Sequence, residues 1–218
     1  RRLLIEQASA EFSVEQASGG LRVGLKDLVL VRGGWRWPAA NLAFALSRQA
    51  DGGRHREAIA DYLRIEDIIA ILRVRMPWKD LQEPLEQLQP RGEVRNLALC
   101  VDMWDEDFAW RGRAEFADIG TKSWDQFPDT AHFSGQLHGQ RDHIVLQLDS
   151  RAARLQFSKL RNPIVLEELQ GRLDWTPGGT GWQLASKNLL AVTPHIRTQT
   201  RLNLQHQAGE ATFVDMQT

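Results

Sequence analysis

The sequence predicts a mainly β protein: an elongated, curved antiparallel sheet that is groove-like, with repeating hairpins and a short helical insertion. Apolar residues recur at every second position over most of the chain, as at Leu97, Leu99, Val101 and Met103, and Gly, Pro or Asp separate the runs. Successive side chains of a strand point to opposite faces, so each run has one apolar and one polar side. Short strands joined by turns indicate antiparallel pairing.

Residues 1–64 are predicted to form an N-terminal β segment. Residues 2–12 and 21–31 have the pattern of a hairpin around Gly19 and Gly20. Within the second strand the apolar phase changes after Leu25, which predicts a β-bulge near Asp27. Residues 35–47 alternate again, and Pro38 predicts an edge position or a strand break there. Residues 49–56 are polar and contain glycine, so we expect a loop.

Residues 65–89 are predicted to be a helical insertion. The apolar residues there follow helical spacing, at Ile65, Ile68, Ile69 and Leu72 and then at Trp78, Leu81, Leu85 and Leu88. Pro77 suits the first turn of a helix, and Pro84 is expected to divide the second segment into two short pieces. We expect these helices to pack on the sheet or to close its open end. A helix that recognises a partner is the alternative.

Residues 90–218 are predicted to continue the same sheet as a groove segment. The predicted strands are 93–103, 108–118, 131–139, 143–150, 155–158, 164–175, 182–186, 189–192, 196–205 and 211–216. Turn-forming residues separate them, for example around Gly178 and Gly209.

Composition excludes several classes of protein. The 218 residues carry a formal net charge of −1, which argues against nucleic acid as a partner. The single cysteine, Cys100, excludes an intramolecular disulfide framework. The longest apolar run, residues 68–72, is far shorter than the about 20 residues that span a bilayer.

No motif in the chain predicts an enzyme or a cofactor. His132 and His138 would lie roughly 20 Å apart on a regular strand, which is too far for one metal ion. The acidic residues between positions 102 and 107 lack the spacing of a calcium loop and are interpreted as a solvated hairpin tip. Nucleophile-elbow, Walker and dinucleotide-binding motifs do not occur.

The eight tryptophans support two interpretations. Trp110 and Trp175 are in phase with the apolar positions, which favours a core or a groove lining. The tryptophans near strand ends or turns are Trp35, Trp37, Trp104 and Trp124. Exposed aromatic rings of that kind could stack on sugars, so a β-sandwich that binds carbohydrate is an alternative.

Several short motifs in order resemble the YhdP branch of the AsmA-like proteins. Residues 88–97, LQPRGEVRNL, resemble the Pro-x-Gly step with which that family ends its helices and opens a strand. Residues 108–118 are similar to the family's a-x-F-x-D-v strand, and Pro128 precedes FSGQL at 133–137, similar to its P-g-…-l-s-G-x-L pattern. The resemblance covers about residues 65–204.

The resemblance implies an internal fragment of a large Gram-negative envelope protein. Such proteins are anchored in the inner membrane, extend through the periplasm and are implicated in phospholipid transport to the outer membrane along a β-groove. By this resemblance the anchor and the membrane contacts lie in parts of the protein outside this chain. The partners would be phospholipid acyl chains.

We expect apolar residues of the alternating runs to line the groove, because a one-sided apolar sheet needs another layer or a ligand to cover it. The predicted lining residues are Leu97, Leu99, Val101, Met103, Phe108, Trp110, Phe116, Ile144, Leu146, Leu148, Leu173, Trp175, Leu202 and Leu204. A structural envelope spacer, with the same face filled by its own side chains, is a further alternative.

Overall fold

The computed structural model describes residues 4–17, 19–72, 79–104, 107–124 and 128–218. In these described residues thirteen strands form one open, curved sheet, and two short helices accompany it. The helices are α1 (Ile65–Leu72) and α2 (Lys79–Leu88). The strands are β1 (Gln7–Ala17), β2 (Gly20–Arg32), β3 (Trp35–Arg36), β4 (Ala40–Arg48), β5 (Arg54–Arg64), β6 (Arg91–Met103), β7 (Phe108–Thr121), β8 (Asp129–Gln140), β9 (His143–Gln156), β10 (Ile164–Gly178), β11 (Gly181–Val192), β12 (Arg197–Gln207) and β13 (Phe213–Gln217).

The sheet is antiparallel and follows chain order, as the sequence predicts. Each strand pairs with the next one, except that the short β3 pairs only with β2 and β2 also pairs with β4. Both helices lie between β5 and β6 in the chain. Those two strands nevertheless pair directly, from Arg54 opposite Met103 to Arg64 opposite Glu93. The sheet therefore continues without a break past the helical insertion.

Two predicted irregularities of the N-terminal strands are confirmed. Asp27 has a φ of 52°, and the pairing of β2 with β4 shifts in register between Leu25 and Leu28, so a bulge lies where the apolar phase changes. Pro38 falls between β3 and β4, where the strand is interrupted.

The predicted loop at residues 49–56 is wrong in its last part, because β5 begins at Arg54. No strand is predicted for residues 54–64, which form β5. This strand is rich in charged residues, but β4 and β6 pair with it on both sides. Backbone hydrogen bonds to two neighbours outweigh the weak strand preference of the sequence.

Two predicted strand breaks are also absent from the structure. Residues 143–150 and 155–158 belong mainly to one strand, β9, which runs through Ala152 with a φ of 55°. Likewise, residues 182–186 and 189–192 form one strand, β11, with a register shift between Ser186 and Leu189. Bulges disturb the alternation locally without ending the strand.

The helical insertion is present, but Pro84 does not divide it as predicted. Helix α2 runs through Pro84 from Lys79 to Leu88. Proline removes only the N–H that would reach the carbonyl of Asp80, and the helix continues on both sides of this one lost bond. Pro77 lies outside the described residues, so its predicted place in the first turn is untested.

β-Bulges recur across the sheet. Five non-glycine residues with positive φ lie within strands, all at shifts of register or next to them: Asp27, Asn96, Asp118, His132 and Ala152. A bulge bends its strand and increases the local twist. The curvature of this sheet is therefore built into the middle of its strands.

Two clusters of buried apolar residues form the core of the sheet. The first contains Leu30, Trp37, Ala40 and Tyr62, and Ile68 of α1 packs against it. The Trp37 and Tyr62 rings meet edge to face, with centroids 5.5 Å apart. The second cluster joins β9 and β10 through Leu148, Ala153, Leu166 and Leu169.

Asp67 ties α1 to the sheet. Its side chain is fully buried, and it accepts a hydrogen bond of 2.5 Å from Arg32 Nη1 and one of 2.8 Å from Trp37 Nε1. Arg64 Nη1 lies 3.7 Å from the same carboxylate. A buried charge is tolerated only when it is paired and hydrogen-bonded. These three partners satisfy that condition and fix α1 over the first cluster.

We predict that Asp67→Ala lowers the free energy of unfolding by about 3 kcal/mol or more, because it leaves Arg32 and Trp37 without their acceptor. Urea denaturation monitored by circular dichroism measures the change. Glu15→Ala, at an exposed position of β1, removes the same charge and should stay within about 0.5 kcal/mol of the parent. Equal stability of both variants would show that the carboxylate does not hold α1.

Candidate functional site

One face of the sheet is mainly apolar from the first strand to the last, although β5 also places Arg54 and Arg56 on it. Directly paired residues of antiparallel strands share a face, so the register follows that face across the sheet. Leu97 of β6 lies opposite Ala60 of β5. Leu146 of β9 lies between Leu137 of β8 and Leu173 of β10. We call this side of the sheet the apolar face.

All fourteen predicted lining residues lie on the apolar face. Twelve belong to the adjacent pairs β6–β7 and β9–β10, where Val101 lies opposite Trp110 and Trp175 lies opposite Ile144. Phe116 and Leu148 are joined through Gly135 of β8. The members on β6, β7, β9, β10 and β12 are Leu97, Leu99, Val101, Met103, Phe108, Trp110, Phe116, Ile144, Leu146, Leu148, Leu173, Trp175, Leu202 and Leu204. That they contact a ligand stays a prediction.

Seven other strands also contribute apolar residues to this face, and none of those residues is among the predicted lining. On β1, β2, β4 and β5 these are Phe12, Val14, Leu21, Val23, Leu25, Leu42, Phe44, Leu46, Ala58 and Ala60. On β8, β11 and β13 they are Leu137, Trp182, Leu184, Val214 and Met216. The alternation of Leu42, Phe44 and Leu46 is a signal that could have found several of them.

Glycines on the apolar face give room to neighbouring side chains. A Cβ at Gly135 would lie 2.9 Å from the Phe116 ring, and one at Gly139 would lie 3.0 Å from Ile144 Cγ1. At Gly171 it would meet Leu189 Cδ1 at 3.1 Å. Neighbouring apolar side chains therefore occupy the space beside these glycines. The face stays apolar at these positions, although glycine contributes no side chain to it.

Most of the apolar face carries no second layer in the part of the chain that the structure describes. Apart from α1, which contacts β5 and β6, the described elements make their main contacts with neighbouring strands. Leu148 is buried, whereas Phe44 and Phe108 are 44% and 47% exposed. Toward both edges exposure increases, with Phe12 at 67% and Met216 at 63%. The face thus offers apolar surface to a ligand or to another chain.

The opposite face is polar and contains both ion pairs and histidine–carboxylate contacts. His55 Nδ1 lies 2.6 Å from Asp102 Oδ1. His143 Nε2 lies 3.0 Å from Asp174, which also accepts a hydrogen bond of 2.7 Å from Arg172 Nη2. Mainly because of Arg172, and less because of His143, the pKa of Asp174 lies below its usual value.

The structure separates the tryptophans that the sequence groups together. Trp37 is only 3% exposed and belongs to the first cluster, so it is not an exposed ring. The Arg64 guanidinium packs over the Trp35 ring, with its Cζ atom 4.9 Å from the ring centroid. Trp104 donates a hydrogen bond to Asp51, and Trp124 is half-buried. These positions do not form one aromatic platform for a sugar.

No group of three or more His, Cys, Asp or Glu side chains among the residues that the structure describes is placed to hold a metal ion. No helix among the same residues has the length and hydropathy needed to span a bilayer.

Comparison with protein-family models gives one assignment. The model described as YhdP protein matches residues 1–218. The chain belongs to the YhdP family. Comparisons with curated proteins and with solved structures give no significant match. The family match includes the first 64 residues, which carry none of the motifs on which the resemblance depends. Membership of the YhdP family is consistent with a role of the lipid-transport type.

We predict that two leucines of the apolar face differ in their contribution to stability. Leu148→Ala should lower the free energy of unfolding by about 2–4 kcal/mol, because Leu148 packs in the second cluster. Leu46→Ala should cost less than about 1 kcal/mol, because Leu46 is 37% exposed and lies outside both clusters. Chemical denaturation of both variants measures the difference. Equal large losses would mean that a second layer covers Leu46.

Proposed function

We propose that this chain is a segment of an inner-membrane-anchored periplasmic protein that conducts phospholipid toward the outer membrane. The apolar face is the path, and acyl chains are the ligand. Other parts of the protein contact the membranes. The segment catalyses no reaction and needs no cofactor. The observation that carries this proposal is one apolar face that crosses twelve paired strands and that, among the described elements, only α1 covers in part.

The free energy of burial supports a ligand on this face. Soluble monomers rarely expose contiguous apolar patches larger than a few hundred Å² unless the patch binds something. Each methylene group moved from water to an apolar environment contributes about 0.8 kcal/mol of favourable free energy. An acyl chain on the face therefore gains stability over its whole length. Half-exposed residues such as Phe44 and Phe108 are placed to make that contact.

The direction of the face supports movement rather than storage. The apolar residues follow one another across the strands, so the path runs from β1 to β13. At a spacing of about 4.8 Å, twelve strands give a path of roughly 50 Å. This is longer than the about 30 Å of a bilayer's hydrocarbon core. Each paired strand contributes apolar side chains to the path, β5 through Ala58 and Ala60, so a lipid can advance without exposing its tails.

The single open sheet weighs against the carbohydrate alternative. That alternative requires a closed β-sandwich with exposed tryptophans, whereas this sheet has no facing sheet in the described residues and Trp37 is buried. A structural spacer would have the same strands but an apolar face that takes up no lipid. The experiment below separates the spacer from a lipid conduit.

We predict that the chain, purified without detergent, carries phospholipid that native and lipid mass spectrometry detect. Leu146→Asp should remove most of it, because a carboxylate on the apolar face opposes contact with acyl chains. Gln147→Asp is the matched control, since Gln147 is the next residue of β9, is exposed and points to the polar face. It should leave the lipid content unchanged.

Circular dichroism confirms that both variants are folded before their lipid is compared. Equal lipid content in Leu146→Asp, Gln147→Asp and the parent would contradict the assignment of the path. A folded parent that is empty and takes up no fluorescent phospholipid would favour the spacer.

A further inference from the structure

The polar face contains a cleft that the lipid path does not use. It has a volume of about 560 Å³, and its lining includes Arg111, Arg113, His138, His143 and Arg172. These residues come from β7, β8, β9 and β10. The cleft and the apolar face are on opposite sides of the same backbone, so its ligand would be separate from acyl chains on the path.

The register explains why a depression forms here. Arg111 and Arg113 are two residues apart on β7 and project to the same face. Their partners on β6 are Cys100 and Ala98, whose short side chains leave space beside the two guanidinium groups. On the other side of the cleft, Val145 of β9 is buried at 3% exposure and forms part of the floor.

The lining is positively charged, and no carboxylate belongs to it. Arg172 is neutralised by Asp174, which lies outside the lining and also contacts His143. Arg111 and Arg113 are exposed and form no ion pair with any residue that the structure describes. By contrast, Arg32, Arg95 and Arg141 each have a carboxylate partner.

We infer that this cleft binds an anion of the phosphate class, held by Arg111 and Arg113. A guanidinium group presents its N–H donors in a planar fork that matches phosphate oxygens, and such charge-assisted hydrogen bonds are among the stronger ones. His138, directly opposite Arg113, adds a third donor at the same position along the strands. The phosphate group can belong to free phosphate or to a lipid headgroup presented from outside the lipid path.

Binding of inorganic phosphate at low salt tests the inference, with amide chemical shifts as the readout. The parent should show saturable shifts at β7, β8 and β9. The double variant Arg111→Gln and Arg113→Gln should bind phosphate about tenfold more weakly or not at all, because it loses both forks. The matched control is Arg151→Gln with Arg154→Gln, which removes two exposed charges from β9 outside the cleft and should bind like the parent.

Flotation with vesicles distinguishes the two sources of phosphate. Vesicles containing phosphatidylglycerol should retain the parent and the control but not the double variant if a lipid headgroup is the ligand. Saturable binding of inorganic phosphate without vesicle retention would identify a free anion. If the double variant and the control bind both probes like the parent, the cleft is not an anion site and the inference is wrong. Leu146→Asp should leave anion binding unchanged, so this result is separate from that for the lipid path.

Discussion

In-register antiparallel pairing is the constraint on which the rest of this structure depends. Because opposed residues share a face, an alternating pattern on one strand is extended only if its neighbour has the same phase. A slip of one residue at any pair would move apolar side chains to the polar side. Leu146 between Leu137 and Leu173 shows three strands in phase. The continuity of the proposed lipid path is a consequence of this agreement.

The β-bulges allow the sheet to curve while apolar side chains stay on one face. Leu25 and Leu28 are three residues apart, yet they lie opposite Leu42 and Ala40, which are two apart on β4. The extra residue at Asp27 thus keeps both leucines on the apolar side while it bends the strand. Helix α1 covers the adjoining cluster, and Asp67 holds it there.

The sequence predicted the fold class and placed all fourteen named lining residues on one face, because period-two alternation reports directly on strand faces. It did not predict β5, because the charged residues Arg54 and Arg56 interrupt the apolar alternation that indicates a strand. Pairing with both β4 and β6 stabilises β5 instead. The sequence further predicted a break near Ala152, because a bulge and a strand end disturb alternation in the same way. The sequence also did not predict the cationic cleft. Its lining residues lie on different strands, and residues such as Ala98 and Arg113 become neighbours only through the pairing register of those strands.

Site-specific photo-crosslinking along β9 tests the central claim most directly. A benzophenone side chain is placed in turn at Ile144, Leu146, Gln147 and Asp149, and the crosslinked product is identified by mass spectrometry. We expect adducts with phospholipid from positions 144 and 146 and none from 147 and 149, because only the first two face the path. Folded variants that give no phospholipid adduct, or equal adducts from all four positions, would contradict a lipid path on the apolar face.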